Sequence, residues 1–291
     1  MQDVVGDDLT VVANTADDVE IHGLLVSPDP DLCTYWLAGQ IDEQRGWGIR
    51  EDSFTVAERL ELLGAPGWFG LSDRDLATCL YRTHFLSEGG TLTAAQAQIA
   101  RALGVAARVL PMCDERVSTR VLTAAGWRGL QEFLILDHGE GAIDAVELTG
   151  IEQAEATAQV REAIAAAEAI IIGPSNPVIS VGPILATRGI REAIAASPAP
   201  VVAVSPLVAG RSVKGPTEEF LRAVGRPVDA SGVASLYTGL LDGIVADAED
   251  PGPAPEGIAV LSRPTLMSNA RTRRELAQAT LEFARELASA R

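Results

Sequence analysis

Several features that would assign a function class directly are missing from this sequence of 291 residues. No apolar run approaches the roughly 18 residues that a membrane-spanning helix needs. The opening segment MQDVVGDDL is acidic where a signal peptide would be basic. The three cysteines, Cys33, Cys79 and Cys113, are far apart and lack metal-ligand spacing. We therefore expect a cytoplasmic protein whose cysteines pack in its core.

Positive charge is also scarce. Lysines and arginines number 23 against 40 acidic residues, Lys214 is the only lysine, and the net charge is −17. Such a surface repels nucleic acid and anionic membranes, so neither is an expected partner. Phosphate groups can still bind where a divalent metal and a few arginines offset the repulsion. A composition of 47% hydrophobic and 22% charged residues is typical of a globular protein.

Common short catalytic motifs are absent as well, among them HExxH, CxxC and the P-loop. The most informative segment is EAIIIGPSNPVISVGPIL at residues 168–185. Its apolar run 169–172 predicts a buried parallel strand, 173–177 a loop, and Pro183 the start of a helix. This arrangement directs unpaired backbone N–H groups toward one point that favours anions. An ordinary strand-to-helix loop would give the same pattern.

Strands and helices alternate along most of the chain. Strands are predicted at 9–14, 108–112, 119–122, 142–148, 169–172, 200–204, 242–246 and 257–261. Helices are predicted at 31–41, 155–167, 182–197, 217–224, 232–241 and 270–290, and residues 53–103 are helical and poor in strands, with Ser53, Ser72 and Thr91 or Thr93 as N-caps. We predict a single Rossmann-like α/β domain, residues 1–291, with a mostly parallel sheet, helices on both faces and a helical insertion at about 48–103.

Polar residues follow three of the predicted strands, at 14–18, 173–176 and 205–206. Ligands of parallel sheets bind beyond the carboxyl ends of the strands, so these three segments should converge on one crevice. Asp17 and Asp18 follow a buried strand, and Asp29 and Asp31 come soon after. Carboxylates in such a place commonly hold Mg²⁺, although aspartates more often cap turns and helices.

Other polar residues have an equally ordinary explanation. Asp73 and Asp75 stand at a predicted helix start, where acids offset the helix dipole. His22 fits a core histidine as well as a proton acceptor. Trp47 and Trp68 could stack on a flat ring, but aromatic side chains are more often part of the core.

Eight segments together resemble the 2-phospho-L-lactate transferase family of deazaflavin-coenzyme (factor 420) biosynthesis. They are LTVVANTADD (9–18), PDPDL (28–32), AGQIDEQRGWG (38–48), LSDRDLATCLYRT (71–83), LPMCDERVST (110–119), IIGPSNPVISVGPIL (171–185), VSPLVAG (204–210) and KGP (214–216).

The resemblance implies a Mg²⁺-dependent transfer. The terminal ribityl hydroxyl of the deazaflavin Fo attacks the phosphorus that carries the lactyl group of a lactyl-diphosphoguanosine donor, and GMP leaves. Some relatives use a phosphoenolpyruvyl donor instead. The partners implied are therefore Fo and a guanylylated small acid, and the family resemblance also suggests a homodimer.

Site residues follow from the resemblance by position. Asp18 and Asp31 are the implied catalytic residues, and Asp17 and Asp18 the implied metal ligands. Asp31, with Asp73 and Asp75, would contact the acceptor. The donor would be bound by Asn14, Ser175, Asn176, Ser180 and Gly182, with Ser205 and Gly215 lining the far wall. Some relatives carry a basic residue near the acceptor where this chain has Gly70.

The beginning of the chain departs from the family pattern. Family members open with a strand, a glycine-rich loop and a helix before the strand that corresponds to 9–14. We therefore expect Met1 to be an internal start, with about 20 to 30 further residues encoded upstream, the length of one strand–loop–helix unit. An in-frame stop codon close before Met1 would contradict this expectation.

Two alternatives to the transferase remain. One is a non-catalytic nucleotide-sugar-binding regulator of the gluconeogenesis-factor type, which shares the Rossmann-like core. The other is an inactive, truncated relative. PDPDL and SDRDLAT favour the transferase, whereas tight binding of a UDP-sugar without turnover would favour the regulator.

Overall fold

Four parallel strands form the largest sheet in the computed structural model, which describes residues 1–290. Their order is β13 (Ala259–Ser262), β12 (Gly243–Ala246), β9 (Val201–Val204) and β8 (Ile170–Ile172). Every residue of β9 and β12 is buried, because both faces of a central parallel strand are covered by other elements. Side chains alternate between two hydrophobic clusters, one containing Ala203 and Ile244 and the other containing Val202 and Val245.

A second parallel pair joins β1 (Thr10–Ala13) to β4 (Arg108–Pro111). Within residues 1–290 this pair shares no ladder with the four-stranded sheet. Leu110 of β4 and Ile172 of β8 nevertheless belong to one hydrophobic cluster. The predicted α/β fold with parallel strands is confirmed, but the parallel strands lie in two sheets.

Antiparallel strands make up the other sheets. One of them has three strands, in which β5 (Ser118–Thr123) lies between β6 (Gly126–Gly129) and β7 (Ala145–Thr149). The sequence predicted β5 and β7. The short hairpins β2 (Val19–Ile21) with β3 (Leu24–Val26), and β10 (Leu207–Val208) with β11 (Arg211–Ser212), were not predicted, nor was β6.

Helices cover both faces of the four-stranded sheet, as predicted. The helices are α1 (Gln2–Val5), α2 (Pro28–Leu37), α3 (Thr55–Leu62), α4 (Asp73–Ser87), α5 (Leu92–Ala102), α6 (Leu130–Ile135), α7 (Ala158–Ala165), α8 (Val181–Ala186), α9 (Ile190–Ala196), α10 (Thr217–Ala223), α11 (Ala230–Ser235) and α12 (Ala270–Ser289). One face packs against α7, α9 and α11, and the other against α12. None of the helices among the described residues is both long and apolar enough to cross a membrane.

The insertion at 48–103 contains α3, α4 and α5, in agreement with the prediction of a helical segment. Ser72 and Thr91 are N-caps as expected, and the Thr91 side chain accepts a hydrogen bond from the backbone N–H of Ala94. Ser53 is not a cap, because α3 begins one residue later with Phe54 in that position. The helix predicted at 31–41 begins three residues earlier, where Pro28 occupies its first position.

Candidate active site

Asn14, at the carboxyl end of β1, connects three elements. Its side-chain Nδ2 donates to a carboxylate oxygen of Asp17, to Oδ2 of Asp29 at 3.2 Å and to the carbonyl oxygen of Ile179 at 3.4 Å. Its Oδ1 accepts from the backbone N–H of Ala16 at 2.9 Å. Asn14, in the predicted strand-end segment 14–18, therefore contacts the loop that precedes α8 at Ile179, three residues beyond the second predicted segment, 173–176. Asn14 is buried, so this junction is fixed from within the fold.

Asp17 and Asp18 lie in the turn between β1 and the β2–β3 hairpin. Asp18 Oδ1 accepts a hydrogen bond from the Ser27 hydroxyl at 2.7 Å, and Asp17 Oδ2 accepts one from Gln131 Nε2 at 3.5 Å. Burial raises the pKa of Asp18 to about 8, although Ser27 and nearby positive charge oppose the shift. Burial, followed by repulsion from Asp29 and Asp18, raises the pKa of Asp17 well above its usual range.

Asp29 and Asp31 occupy the first turn of α2, on the other side of the same junction. The backbone N–H of Asp31 donates to the Ser27 carbonyl at 3.1 Å, which is the first hydrogen bond of the helix. Burial raises the pKa of both carboxyl groups. With Asp17 and Asp18 these residues form what we call the acidic cluster, in which Asp31 is buried and the other three acids are half-buried.

Arg82, on α4, balances part of this charge. Its side chain is fully buried and forms an ion pair with Asp31, while its Nη1 donates to the carbonyl of Leu25 at 3.2 Å. The neighbouring acids raise the pKa of the guanidinium despite the opposing effect of burial. Arg82 was not among the sequence-predicted site residues. The sequence did contain one indication of its role. Asp75, Cys79 and Arg82 are four and three residues apart, so a helix places Arg82 on the same face as Asp75.

Asp75 is held beside Asp31 through a tyrosine. The buried hydroxyl of Tyr35 donates to Asp75 Oδ1 at 2.9 Å. Burial raises the pKa of Asp75 to about 6, and the charge of Asp31 adds to the increase. Asp31 and Asp75 are two of the three residues predicted to contact the acceptor, and they have carboxylate oxygens within 4.8 Å of each other.

Asp73, the third predicted acceptor residue, is engaged elsewhere. Its Oδ2 accepts from the Ser53 hydroxyl at 2.6 Å and its Oδ1 from the backbone N–H of Val56 at 3.0 Å, so it caps the start of α3. Asp52 in turn accepts from the backbone N–H of Arg74 at 2.9 Å, near the start of α4. Asp73 does lie at the start of a helix, as predicted, but its carboxylate binds the start of the neighbouring α3, a contact that the sequence did not predict.

The predicted donor loop runs from the end of β8 to α8. Asn176 shapes it, because its Oδ1 accepts from the backbone N–H groups of Val178 at 2.9 Å and Ile179 at 3.2 Å. Ser180 donates its backbone N–H to the Asn176 carbonyl at 3.1 Å, and Ser175 is exposed at the tip. At Gly182 an added Cβ would lie 3.2 Å from the carbonyl oxygen of Pro177, so the backbone is closely packed there.

Ser205 and Gly215 were predicted to line the far wall of the donor site. Parallel pairing of Ile172 with Ala203 places the end of β9, and hence Ser205, at the same sheet edge as the donor loop. Ser205 is buried, and its hydroxyl accepts from the backbone N–H of Leu207 at 3.3 Å. Gly215 is exposed with φ 76°, and its carbonyl accepts from the Ser212 hydroxyl at 2.7 Å. Neither residue has a hydrogen bond to the acidic cluster within residues 1–290.

Two groups of side chains could be considered for a metal. The carboxylates of Asp17 and Asp18 are hard oxygen ligands of the kind that Mg²⁺ prefers. Burial is the main cause of their raised pKa values and neighbouring acids add to it, so a cation there would favour the ionised forms. Asp31, Asp75 and Cys79 also have potential ligand atoms within 4.8 Å of one another. Burial raises the pKa of the Cys79 thiol, and Arg82 already neutralises Asp31. The second group is therefore a poor Mg²⁺ site, whereas the first offers two carboxylates of suitable chemistry that already accept hydrogen bonds from Asn14, Gln131 and Ser27.

A cavity of about 150 Å³ lies at the edge of the insertion, beneath α3. Its lining is mainly apolar and includes His22, Phe54, Glu58, Glu61, Phe69 and Gly70. Gly70 carries no basic side chain, and an added Cβ there would lie 3.0 Å from the ring of Trp47. The Trp47 ring therefore covers the position where some relatives were expected to present a positive charge.

Comparisons with known proteins agree with the sequence resemblance. The family model of 2-phospho-L-lactate transferase CofD matches residues 2–257. A phosphoenolpyruvate transferase of Streptomyces griseus is 40% identical over 290 residues, covering 96% of this chain and 91% of that protein. A 2-phospho-L-lactate transferase of Methanosarcina mazei is 39% identical over 244 residues, covering 84% of this chain and 80% of that protein.

Solved structures share the fold at lower identity. A crystal structure of a Bacillus halodurans protein matches with a TM-score of 0.59 and 19% identity, covering 94% of this chain and 91% of that one. A second crystal structure from Bacillus halodurans, titled as a member of the UPF0052 family, matches with a TM-score of 0.60 and 17% identity. At this identity the similarity establishes the α/β fold and nothing more specific.

Proposed function

This chain belongs to the 2-phospho-L-lactate transferase CofD family, and from that membership we propose that it transfers a phospholactyl or phosphoenolpyruvyl group from a guanosine diphosphate-linked donor to the deazaflavin Fo. The observation that carries the proposal is the junction at Asn14. The side-chain amide of Asn14 binds both the acidic cluster and the predicted donor loop. The carboxylates proposed to take part in phosphoryl transfer therefore lie next to the loop proposed to bind the diphosphate of the donor.

In the proposed reaction, the terminal hydroxyl oxygen of Fo forms a bond to the phosphorus that carries the small acid. The bond from that phosphorus to the bridging oxygen breaks, and the electron pair leaves with GMP. The hydroxyl proton passes to the Asp31 carboxylate, whose Oδ1 is bound by Arg82 and whose Oδ2 has no hydrogen-bond partner within residues 1–290. Most of the rate acceleration in such transfers comes from positioning and from charge stabilisation.

The donor is held by the loop from Ser175 to Gly182 and by Asn14, and the acceptor by Asp31 and Asp75. Asp17 and Asp18 would hold Mg²⁺, which when bound supplies positive charge for the diphosphate oxygens. The protein has a net charge of −17, and the arginines that act on Asp18 are Arg82 and Arg116. A diphosphate bound at the acidic cluster would therefore need the positive charge of the metal. Ser205 and Gly215 would line the far wall of the donor site.

The test is GMP release from the lactyl and enolpyruvyl donors, each with and without Fo, in Mg²⁺ and in EDTA. We expect release from one or both donors only when Fo and Mg²⁺ are both present. Asp18→Asn should lower the rate at least a hundredfold, while Asp8→Asn, which changes an exposed acid outside the site, should leave it unchanged.

Release of GMP without Fo would contradict the transfer to this acceptor. No release under any condition, combined with tight binding of a UDP-sugar, would favour the nucleotide-sugar-binding regulator instead. The choice between the two donors is read directly from their relative rates.

A further inference from the structure

Arg82 is the largest fully buried side chain in the described part of the chain, and it reaches the acidic cluster from α4. A buried charge is costly unless its hydrogen-bonding groups are used. Arg82 divides its donors between two elements, the Asp31 carboxylate of α2 and the Leu25 carbonyl of β3. A planar guanidinium can connect two such acceptors at once, whereas a lysine ammonium is a single charge on a flexible stem.

The contact with Leu25 fixes the direction of the guanidinium. Thr83, the next residue of α4, accepts a hydrogen bond from the backbone N–H of Leu25 at 2.8 Å. Consecutive residues of α4 therefore bind the N–H and the carbonyl of a single strand residue. This pair of contacts anchors α4 to the β2–β3 hairpin and leaves Arg82 little freedom to rotate.

The ion pair leaves Asp31 with two different oxygens. Arg82 binds Oδ1, while Oδ2 is buried and has no hydrogen-bond partner within residues 1–290. A buried carboxylate oxygen without a donor is unfavourable, and such exceptions call for an explanation. Arg82 Nε is likewise buried without a hydrogen-bond partner among the described residues, so one contact, from Nη2 to Oδ1, holds the pair. An ion pair that served stability alone would be expected to use both oxygens in a bidentate contact.

We propose that Arg82 is a positioning residue that holds Asp31 by one oxygen so that the other faces the acceptor hydroxyl. The inference rests on the proposed function, because it needs an acceptor with a hydroxyl group. Arg82 itself does not touch the substrate. By fixing α2 against α4 and the hairpin, it determines where the hydrogen bond from the hydroxyl is formed, and a displacement of about 1 Å there can cost about a hundredfold in rate.

The test is a double-mutant cycle with Arg82→Lys and Asp31→Asn. Lysine keeps the positive charge beside Asp31, so folding is not threatened by an unpaired carboxylate. We expect Arg82→Lys to lower kcat at least thirtyfold while KM for the donor changes less than threefold. In the background of Asp31→Asn, the same change should lower kcat by less than a further threefold, because Arg82 acts through Asp31.

Thr83→Val is the structural control. It removes the neighbouring contact to Leu25 and should lower the melting temperature about as much as Arg82→Lys, but it should keep kcat within threefold. The inference is overturned if Arg82→Lys keeps kcat within threefold of wild type, or if the two effects multiply in the double variant. If the wild-type protein shows no turnover that depends on Fo, the proposed function itself fails, and this inference with it.

Discussion

The acidic cluster makes the metal-free protein less stable as the pH rises, and Asp18 allows this effect to be measured. Burial raises its pKa from 3.8 to about 8, so the folded protein keeps a proton on Asp18 that the unfolded chain has already released. Between these two values the folded state binds more protons than the unfolded state. The free energy of unfolding must therefore fall as the pH increases from about 4 to about 8.

The size of the effect follows from the pKa values. Each pH unit between them costs about 1.4 kcal/mol, so the interval from pH 5.5 to pH 8 corresponds to at most about 3.5 kcal/mol. Asp18 keeps partial access to solvent, which reduces the cost, and we expect about 1 to 2 kcal/mol in practice. Asp18→Asn removes this contribution, because the amide does not ionise in this range.

Urea unfolding in EDTA at pH 5.5 and pH 8.5 measures the difference. Wild type should lose about 1 to 2 kcal/mol more than Asp18→Asn between the two pH values, and Asp8→Asn should behave like wild type. Saturating Mg²⁺ should stabilise wild type at pH 8.5 and should stabilise Asp18→Asn much less. Equal losses in wild type and Asp18→Asn would refute the assignment of a buried, proton-holding Asp18.

Three further variants test other parts of the structure. Tyr35→Phe removes the hydroxyl that donates to Asp75 and should lower the free energy of unfolding by about 1 to 2 kcal/mol in urea. Gly232→Ala would place its Cβ 1.9 Å from the carbonyl oxygen of Pro227, and we expect a loss of more than about 2 kcal/mol in the same measurement. Asn176→Ala removes the acceptor that shapes the predicted donor loop and, under the proposed function, should raise KM for the donor about tenfold, measured by GMP release.

Each of these variants has a control in the chain. Tyr81→Phe alters an exposed tyrosine, and Gly173→Ala adds a Cβ where no atom lies within 4 Å, so both should keep wild-type stability. Asn269→Ala removes the cap of α12, where Oδ1 accepts from the Thr272 N–H at 3.0 Å, and should cost about 1 kcal/mol without changing KM. Equal effects of a variant and its control would contradict the role given to the first residue.

The apolar pattern was sufficient to predict the parallel strands and most helices, because these elements bury regular faces. The β2–β3 hairpin was missed for a physical reason. Its strands have three residues each, and the N–H and carbonyl of Leu25 are bound by Thr83 and Arg82, about 57 residues away in the chain. The separation of β1 and β4 from the larger sheet also depends on long-range packing that local periodicity does not encode.

At the site, the sequence correctly predicted that Asp17 and Asp18 follow a strand and that Asp31 lies near the start of a helix. These positions could be predicted because the change from apolar to polar residues marks the end of a buried strand. It did not show which acids are used elsewhere. Asp73 and Asp75 are two residues apart on α4 and therefore point in different directions, so Asp73 caps α3 while Asp75 reaches Tyr35. Their separate roles follow from the position of α3, which the sequence alone does not fix.

The acidic cluster also bears on the choice between a functional site and a purely structural one. Burial raises the pKa of all four acids, and repulsion from neighbouring acids adds to the shift at Asp17 and Asp18. Because Arg82 is bound only to Asp31, the acidic cluster opposes folding at neutral pH. A fold that needed only stability would replace them with apolar or exposed residues, since buried charges give little net stabilisation. Their presence beside the predicted donor loop is best explained if a bound cation and phosphate-bearing ligand offset the cost. The expected stabilisation of wild type by Mg²⁺ at pH 8.5, and its much smaller size in Asp18→Asn, follow directly from that explanation.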